Sequence, residues 1–261
     1  MHSSVRRTMK VLAPLVVTLG LVAAPAQAAG IDVGKIRGFW PLNEGRGQTV
    51  YDWSGNGNHG RLGSTAGVDA NDPSWIKGIF FGSALNFGGD DFVSIPASTS
   101  LQPTKFTLSL WVRAAQSPGQ FSYLVAKGSN ACVSASYGLW TASNGGIEFY
   151  VWNGGDLIRS AGVPSERIWD GRWHNVSATW DGAASRLFID GADTGPGPYP
   201  SATPIDYEDQ ADGTATFGGY RGTCDLLFKG DLDQIMVFDK VLPIQQIWER
   251  WGYILGSPSR G

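Results

Sequence analysis

Phe106-Thr107-Leu108-Ser109-Leu110-Trp111-Val112-Arg113 alternates with a period of two, placing Phe106, Leu108, Leu110 and Val112 on one face and Thr107, Ser109, Trp111 and Arg113 on the other. Successive side chains of a strand point to opposite sides, so this run reads as a β-strand with one buried face. Working outward, similar short runs recur at 84–87, 92–95, 121–126, 137–141, 147–152, 173–180, 186–189, 214–217 and 232–238. Between them stand Gly88-Gly89, Asn144-Gly145-Gly146, Asn153-Gly154-Gly155 and Asp181-Gly182, the turn chemistry of antiparallel hairpins. Many short strands with almost no helical period predict an all-β sandwich or jelly roll. One short C-terminal helix is expected, with Pro243 in its first turn and Ile244, Ile247, Trp248 and Trp251 as its apolar stripe. Gly195–Pro204, rich in Pro and Gly, reads as a surface loop.

The chain of 261 residues is 42% hydrophobic and 12% aromatic, enough apolar surface to exclude disorder. Its 36 glycines have no three-residue period, which excludes collagen. Arg6, Arg7 and Lys10 precede an apolar run over 11–24, and Pro25-Ala26-Gln27-Ala28 supplies small-x-small spacing, so residues 1–28 read as a signal peptide cleaved near Ala28. The run is too short for a membrane span, which needs roughly 20 apolar residues. The expected mature product is secreted and carries 17 Lys+Arg against 23 Asp+Glu. No basic patch remains to hold phosphates, so nucleic acid is not an expected partner. No later apolar stretch approaches membrane length. Cys132 and Cys224 are the only cysteines; both follow the leader, and the oxidising compartment it implies predicts that they pair.

Five segments carry a family pattern. Trp40-Pro41-Leu42-Asn43-Glu44-Gly45 with Tyr51-Asp52-Trp53-Ser54-Gly55-Asn56-Gly57-Asn58-His59-Gly60 resembles the opening signature of laminin G-like, concanavalin A-like jelly-roll domains of bacterial secreted proteins. Ala84 to Val93 is similar to that family's next strand pair, and Phe106 to Val112 to its central strand. Trp173-His174-Asn175-Val176 with Leu187-Phe188-Ile189-Asp190-Gly191 resembles its hairpin, and Gly230 to Leu242 its last strand and the run into a short helix. The resemblance implies a two-sheet antiparallel jelly-roll β-sandwich over 36–252, with 253–261 as a tail. It also implies a structural calcium, first at Asp233 and then at Asp52 and Asp90, although Asp52-Trp53-Ser54-Gly55-Asn56 reads equally as a capped turn. Gln234 stands where the family usually has Glu.

No catalytic motif is legible, and the chain is expected not to be an enzyme. Asp231-Leu232-Asp233 places two carboxylates on one strand face, but the third acid of laminarinase-type glycosidases is missing at 234–236. There is no Gly-x-Ser-x-Gly elbow and no zinc or phosphate-loop motif. His174, within a strand-like run, reads as structural, and the sequon Asn175-Val176-Ser177 reads as coincidence. Sugars stack their apolar faces on aromatic rings, so Trp140, Trp152, Tyr150, Tyr220 and Arg221 are the candidate ligand residues. The expected partner is an extracellular glycan or cell-surface ligand. A glycoside hydrolase or polysaccharide lyase, and a protein-interaction module, are the alternatives.

Overall fold

The computed structural model describes residues 36–247 apart from 81, 130, 131, 133, 199, 209–211, 221–223 and 225. The expected leader 1–28, Arg221, Trp248, Trp251 and the tail 253–261 lie outside the described residues. In chain order the strands begin with β1 (Ile36–Trp40), β2 (Thr49–Val50), β3 (Gly60–Leu62), β4 (Ser74–Lys77), β5 (Ser83–Gly88) and β6 (Val93–Ile95). They continue with β7 (Phe106–Arg113), β8 (Tyr123–Ser129), β9 (Tyr137–Thr141), β10 (Ile147–Trp152), β11 (Leu157–Arg159) and β12 (His174–Trp180). The last are β13 (Ser185–Ile189), β14 (Ala192–Asp193), β15 (Asp212–Phe217), β16 (Gly219–Tyr220), β17 (Leu226–Leu227) and β18 (Lys229–Phe238).

Two antiparallel sheets account for most of these strands. The first runs β14-β13-β12-β7-β18-β5-β4, with β1 also on β18, and the second runs β11-β10-β9-β8-β15-β6-β3-β2. Sequence-distant strands pair at the centre of both, as a jelly-roll sandwich requires. The long strand β18 serves two partners on one edge: residues 229–232 pair with β5, and residues 235–238 with β1. Between these stretches its register against β7 shifts, and Gln234 sits there with φ +52°. The bulge lets one strand change neighbours without breaking the sheet.

The two sheets enclose a core that includes Leu85, Phe87, Leu108, Leu110, Trp180, Leu139, Phe149 and Val151. The expectation of one buried face for the central strand β7 is corrected, because Thr107, Ser109 and Trp111 on its other face are buried too. A second apolar cluster of Ile36, Trp111, Met236, Phe238, Leu242 and Ile247 covers that face. Thr107 Oγ1 donates to Lys240 O at 2.8 Å and accepts from Leu242 N at 2.9 Å, fastening the C-terminal segment onto the sheet. Residues 244–247 form the single helical turn found there. Asn175 and Ser177 of the sequon are fully buried, and Asn175 Nδ2 donates to Leu110 O at 3.1 Å. The folded chain offers no access to that amide for glycosylation.

Candidate functional site: an aromatic face and its open edge

The sheet β8-β9-β10-β11 turns Leu139, Phe149 and Val151 into the core, and the pleat sends Tyr123, Trp140, Glu148, Tyr150 and Trp152 to the outer side. Three of these rings close on one another. Trp140 lies 5.0 Å from Tyr150 and 5.3 Å from Tyr123 between ring centroids, and Tyr123 lies 5.0 Å from Tyr220. The hydroxyls of Tyr123 and Tyr150 share a 2.6 Å hydrogen bond, and burial pushes both phenols well above their ordinary range. Space for the rings exists because position 138 is glycine; a Cβ there would sit 2.8 Å from both tyrosine rings.

A cover segment closes this cluster from outside. Ala135 N donates to the Tyr150 hydroxyl at 2.9 Å, and the Tyr220 hydroxyl donates to Ser134 O at 3.1 Å. Cys132 and Cys224 form the expected disulfide, with Cα atoms 5.7 Å apart, so the bond ties this segment to the strand pair β16-β17. Tyr150, Tyr220 and Trp140, taken from the sequence as ligand contacts, are 0%, 1% and 7% exposed. Their placement corrects the ligand role: they are a second core under a stapled lid, and a sugar has no open ring to stack on.

Trp152 is different. It is half-buried at the end of β10 and lines an open cleft of about 800 Å³ with Asp156, Leu157, Arg159, Pro200 and Ser201. The Asn153 side chain shapes the turn between β10 and β11, accepting from Gly155 N at 3.0 Å and Asp156 N at 2.7 Å. The resulting hairpin sets Arg159 opposite Tyr150. From there the guanidinium lies 5.6 Å over the Trp140 ring and 3.6 Å from Glu148 Oε2, which also accepts from Trp140 Nε1 at 3.2 Å. Burial raises the Glu148 carboxyl, while Arg159 and the indole N–H oppose the rise. The 195–204 loop is indeed a connection, but it packs on the edge strand: a Cβ at Gly197 would fall 2.0 Å from Arg159 O. Glu148 lay on the strand read at 147–152, on the face of Tyr150 and Trp152, and was passed over; Asp156 and Arg159 escaped the sequence reading because β11 has only three residues. Their available signal was Asn153-Gly154-Gly155, which demands a return strand opposite Tyr150.

Of the alternative positions expected for calcium, Asp233 and then Asp52 and Asp90, none lies in a cluster of three or more His, Cys, Asp or Glu suited to a metal among the described residues. Asp52 is the capped turn: Oδ1 accepts from Phe39 N and Ser54 N, and Oδ2 accepts from Ser54 Oγ and Asn58 N. Asp90 is exposed. Asp233 is fully buried; its Oδ2 accepts from Ile79 N at 3.0 Å, and burial pushes its carboxyl up to about 7. Asp233 Oδ1 and Gln234 Oε1 are buried without hydrogen-bond partners. Those two oxygens fall short of the six to eight that calcium takes.

His174 is held as a structural residue. Its Nδ1 lies 2.6 Å from Asp190 Oδ2 and its Nε2 3.1 Å from Asp170 Oδ1, bridging the ends of the β12-β13 hairpin. Burial lowers its basicity, but the two carboxylates together outweigh that and raise its pKa. A raised histidine pKa stabilises the fold most below the unfolded value of about 6.5, and the gain is lost as pH rises through the folded value. Asp190→Asn is therefore expected to lower the melting temperature more at pH 6 than at pH 8.5. An equal loss at both pH values would remove the charge from this account.

Residues 87–248 match the model of the concanavalin A-like lectin/glucanases superfamily. The chain belongs to this superfamily. Among curated proteins, this superfamily member is similar to neuronal pentraxin-2 of Homo sapiens, at 32% identity over 152 residues, covering 54% of this chain. It spans 32%, about a third, of the length of that relative. Among solved structures it resembles domain 4 of AbnA, a GH43 extracellular arabinanase from Geobacillus stearothermophilus in complex with arabinotriose. That likeness has a TM-score of 0.60 at 16% identity, over 82% of this chain and 97% of the other. The binding domain of botulinum neurotoxin DC, solved with rat synaptotagmin II, gives 0.63 at 13% identity over 85% of this chain and 52% of that one. At these identities the structural likeness is one of fold.

Proposed function

We propose that the chain is a secreted, non-catalytic carbohydrate-binding module whose ligand enters the Trp152 cleft. The carrying observation is the open cleft of about 800 Å³ that sets a half-buried indole beside Arg159, Asp156 and Ser201. A ring for the apolar face of a sugar with charged and hydroxyl groups at its margin is the chemistry that saccharide sites use. The arabinotriose complex of the AbnA domain supports the ligand class. Two features support a binding rather than a catalytic role. Asp231 has both oxygens engaged, by Arg113 Nε and Asn86 Nδ2 at 2.7 Å each, and Asp233 is sealed from solvent. Neither acid of the Asp231-Leu232-Asp233 strand is thus placed to flank a glycosidic bond.

Glycan-array screening followed by calorimetry tests the reading. Trp152→Ala is expected to weaken binding by about tenfold, the scale of one aromatic contact, with little change in melting temperature. Failure to bind any glycan, or full affinity in the variant, would overturn it, and release of reducing ends would make the chain a hydrolase. A structural cation belongs to this proposal only at the unpartnered oxygens of Asp233 and Gln234. A melting temperature lowered by chelator and restored by calcium supports it, and an unchanged one removes it.

A further inference from the structure

We propose a second ligand site on the outer face of the other sheet, where Arg113 receives the carboxylate of an acidic sugar, a hexuronate within a glycan. Arg113, Asp231 and Asn86 stand side by side across β7, β18 and β5. Asp231 takes Arg113 Nε on one oxygen and Asn86 Nδ2 on the other, so both oxygens are engaged and the guanidinium is held at its Nε edge. The same guanidinium lies 4.7 Å over the Trp173 ring, so it is held from one face as well as one edge. An arginine fixed through Nε keeps its Nη edge for a ligand, and that planar fork matches a carboxylate.

This group borders an open groove of about 500 Å³, within the range of small-molecule sites. Lys229 also lines it; the residue is exposed and has no ion-pair partner among the described residues. The lining thus carries two cations and one carboxylate, a net charge of +1, with Arg113 already paired to Asp231 through Nε. Ala114, Ala115 and Pro118 supply an apolar wall for the ring of a sugar. The carboxylate part of the assignment stands on this groove alone, whereas the saccharide part rests on the carbohydrate-binding reading above. The Trp152 cleft belongs to the opposite sheet, so the two sites are separable by mutation.

Calorimetry of the folded chain with trigalacturonate, and with maltotriose as the neutral control, tests the assignment. Trigalacturonate is expected to bind at least about tenfold tighter than maltotriose, and to weaken as salt rises from roughly 50 to 500 mM. Arg113→Lys, which loses the fork, and Lys229→Glu, which reverses a surface charge, are each expected to weaken it about tenfold. Trp152→Ala should leave it unchanged. If Arg113→Lys melts early, Lys229→Glu carries the test, because that exposed side chain supports no packing. Equal binding of maltotriose, undiminished binding in Lys229→Glu, displacement by acetate at equal carboxylate concentration, or loss in Trp152→Ala would overturn the proposal. The last result would assign the acidic sugar to the edge cleft and leave the carbohydrate reading standing.

Discussion

Replacing both cysteines by serine is expected to lower the unfolding free energy by about 4 to 5 kcal/mol, the chain-entropy value for a closed loop of this size. The bond joins residues 92 apart, so its loss frees more than a third of the chain in the unfolded state. For a domain of this length, that corresponds to a fall in melting temperature of roughly 8 to 20 °C. A local consequence should accompany the global one. Ala135 N and Ser134 O hold the hydroxyls of Tyr150 and Tyr220, and the disulfide is what anchors their segment. Without it, the lid should open at lower denaturant than the sandwich, giving an early red shift of Trp140 fluorescence before the main transition. Denaturant melts of the double variant and of the reduced wild type should agree. A loss below about 1 kcal/mol in both would show that the unfolded ensemble is already restricted where the bond would act.

The strands with a strong period-two pattern were legible, since 137–141 and 147–152 coincide with β9 and β10, and 106–113 with β7. Edge elements were not. β11, β14 and the pair β16-β17 have two or three residues each, too few for periodicity to stand above chance. The more instructive loss concerns faces. Alternation at β7 and β10 correctly separated Leu110 from Trp111 and Phe149 from Tyr150. It could not say what lies beyond the outer face, because that cover comes from distant segments: residues 240–247 over Trp111, and Ala135 over Tyr150. Ser109 and Thr107 look like solvent residues in one dimension, yet they are buried because hydroxyl and backbone partners arrive from Ser177, Lys240 and Leu242. Calcium was placed first on Asp233 through the family resemblance, and Asp52 stayed open because an Asp in a Gly/Asn-rich turn serves a metal or its own backbone equally well. Only the four donors around Asp52 decide that case.

Trp140→Ala should separate the closed aromatic face from the open one. From the sequence, Trp140 and Trp152 were equivalent platforms, both expected to lose ligand affinity with little loss of stability. In the folded chain Trp140 is 7% exposed and meets Phe121, Tyr123 and Tyr150. Removing a buried indole costs about 3 to 5 kcal/mol, partly because the surroundings collapse only incompletely into the space left. Here collapse is resisted by the hydroxyl pair of Tyr123 and Tyr150 and by the lid that Ala135 fastens to it. The change also strips Glu148 of its indole donor and Arg159 of the ring beneath it, leaving a buried carboxylate with one partner fewer. Trp152→Ala, at the cleft, should cost less than about 1.5 kcal/mol, since a half-exposed ring gives up only part of its burial energy. Denaturant melts of the two variants, read beside glycan affinity measured on the folded fraction, should therefore show opposite patterns: stability lost at 140, affinity lost at 152. If Trp140→Ala melts like the wild type while binding fails, the cluster opens in solution and the lid belongs to the binding site.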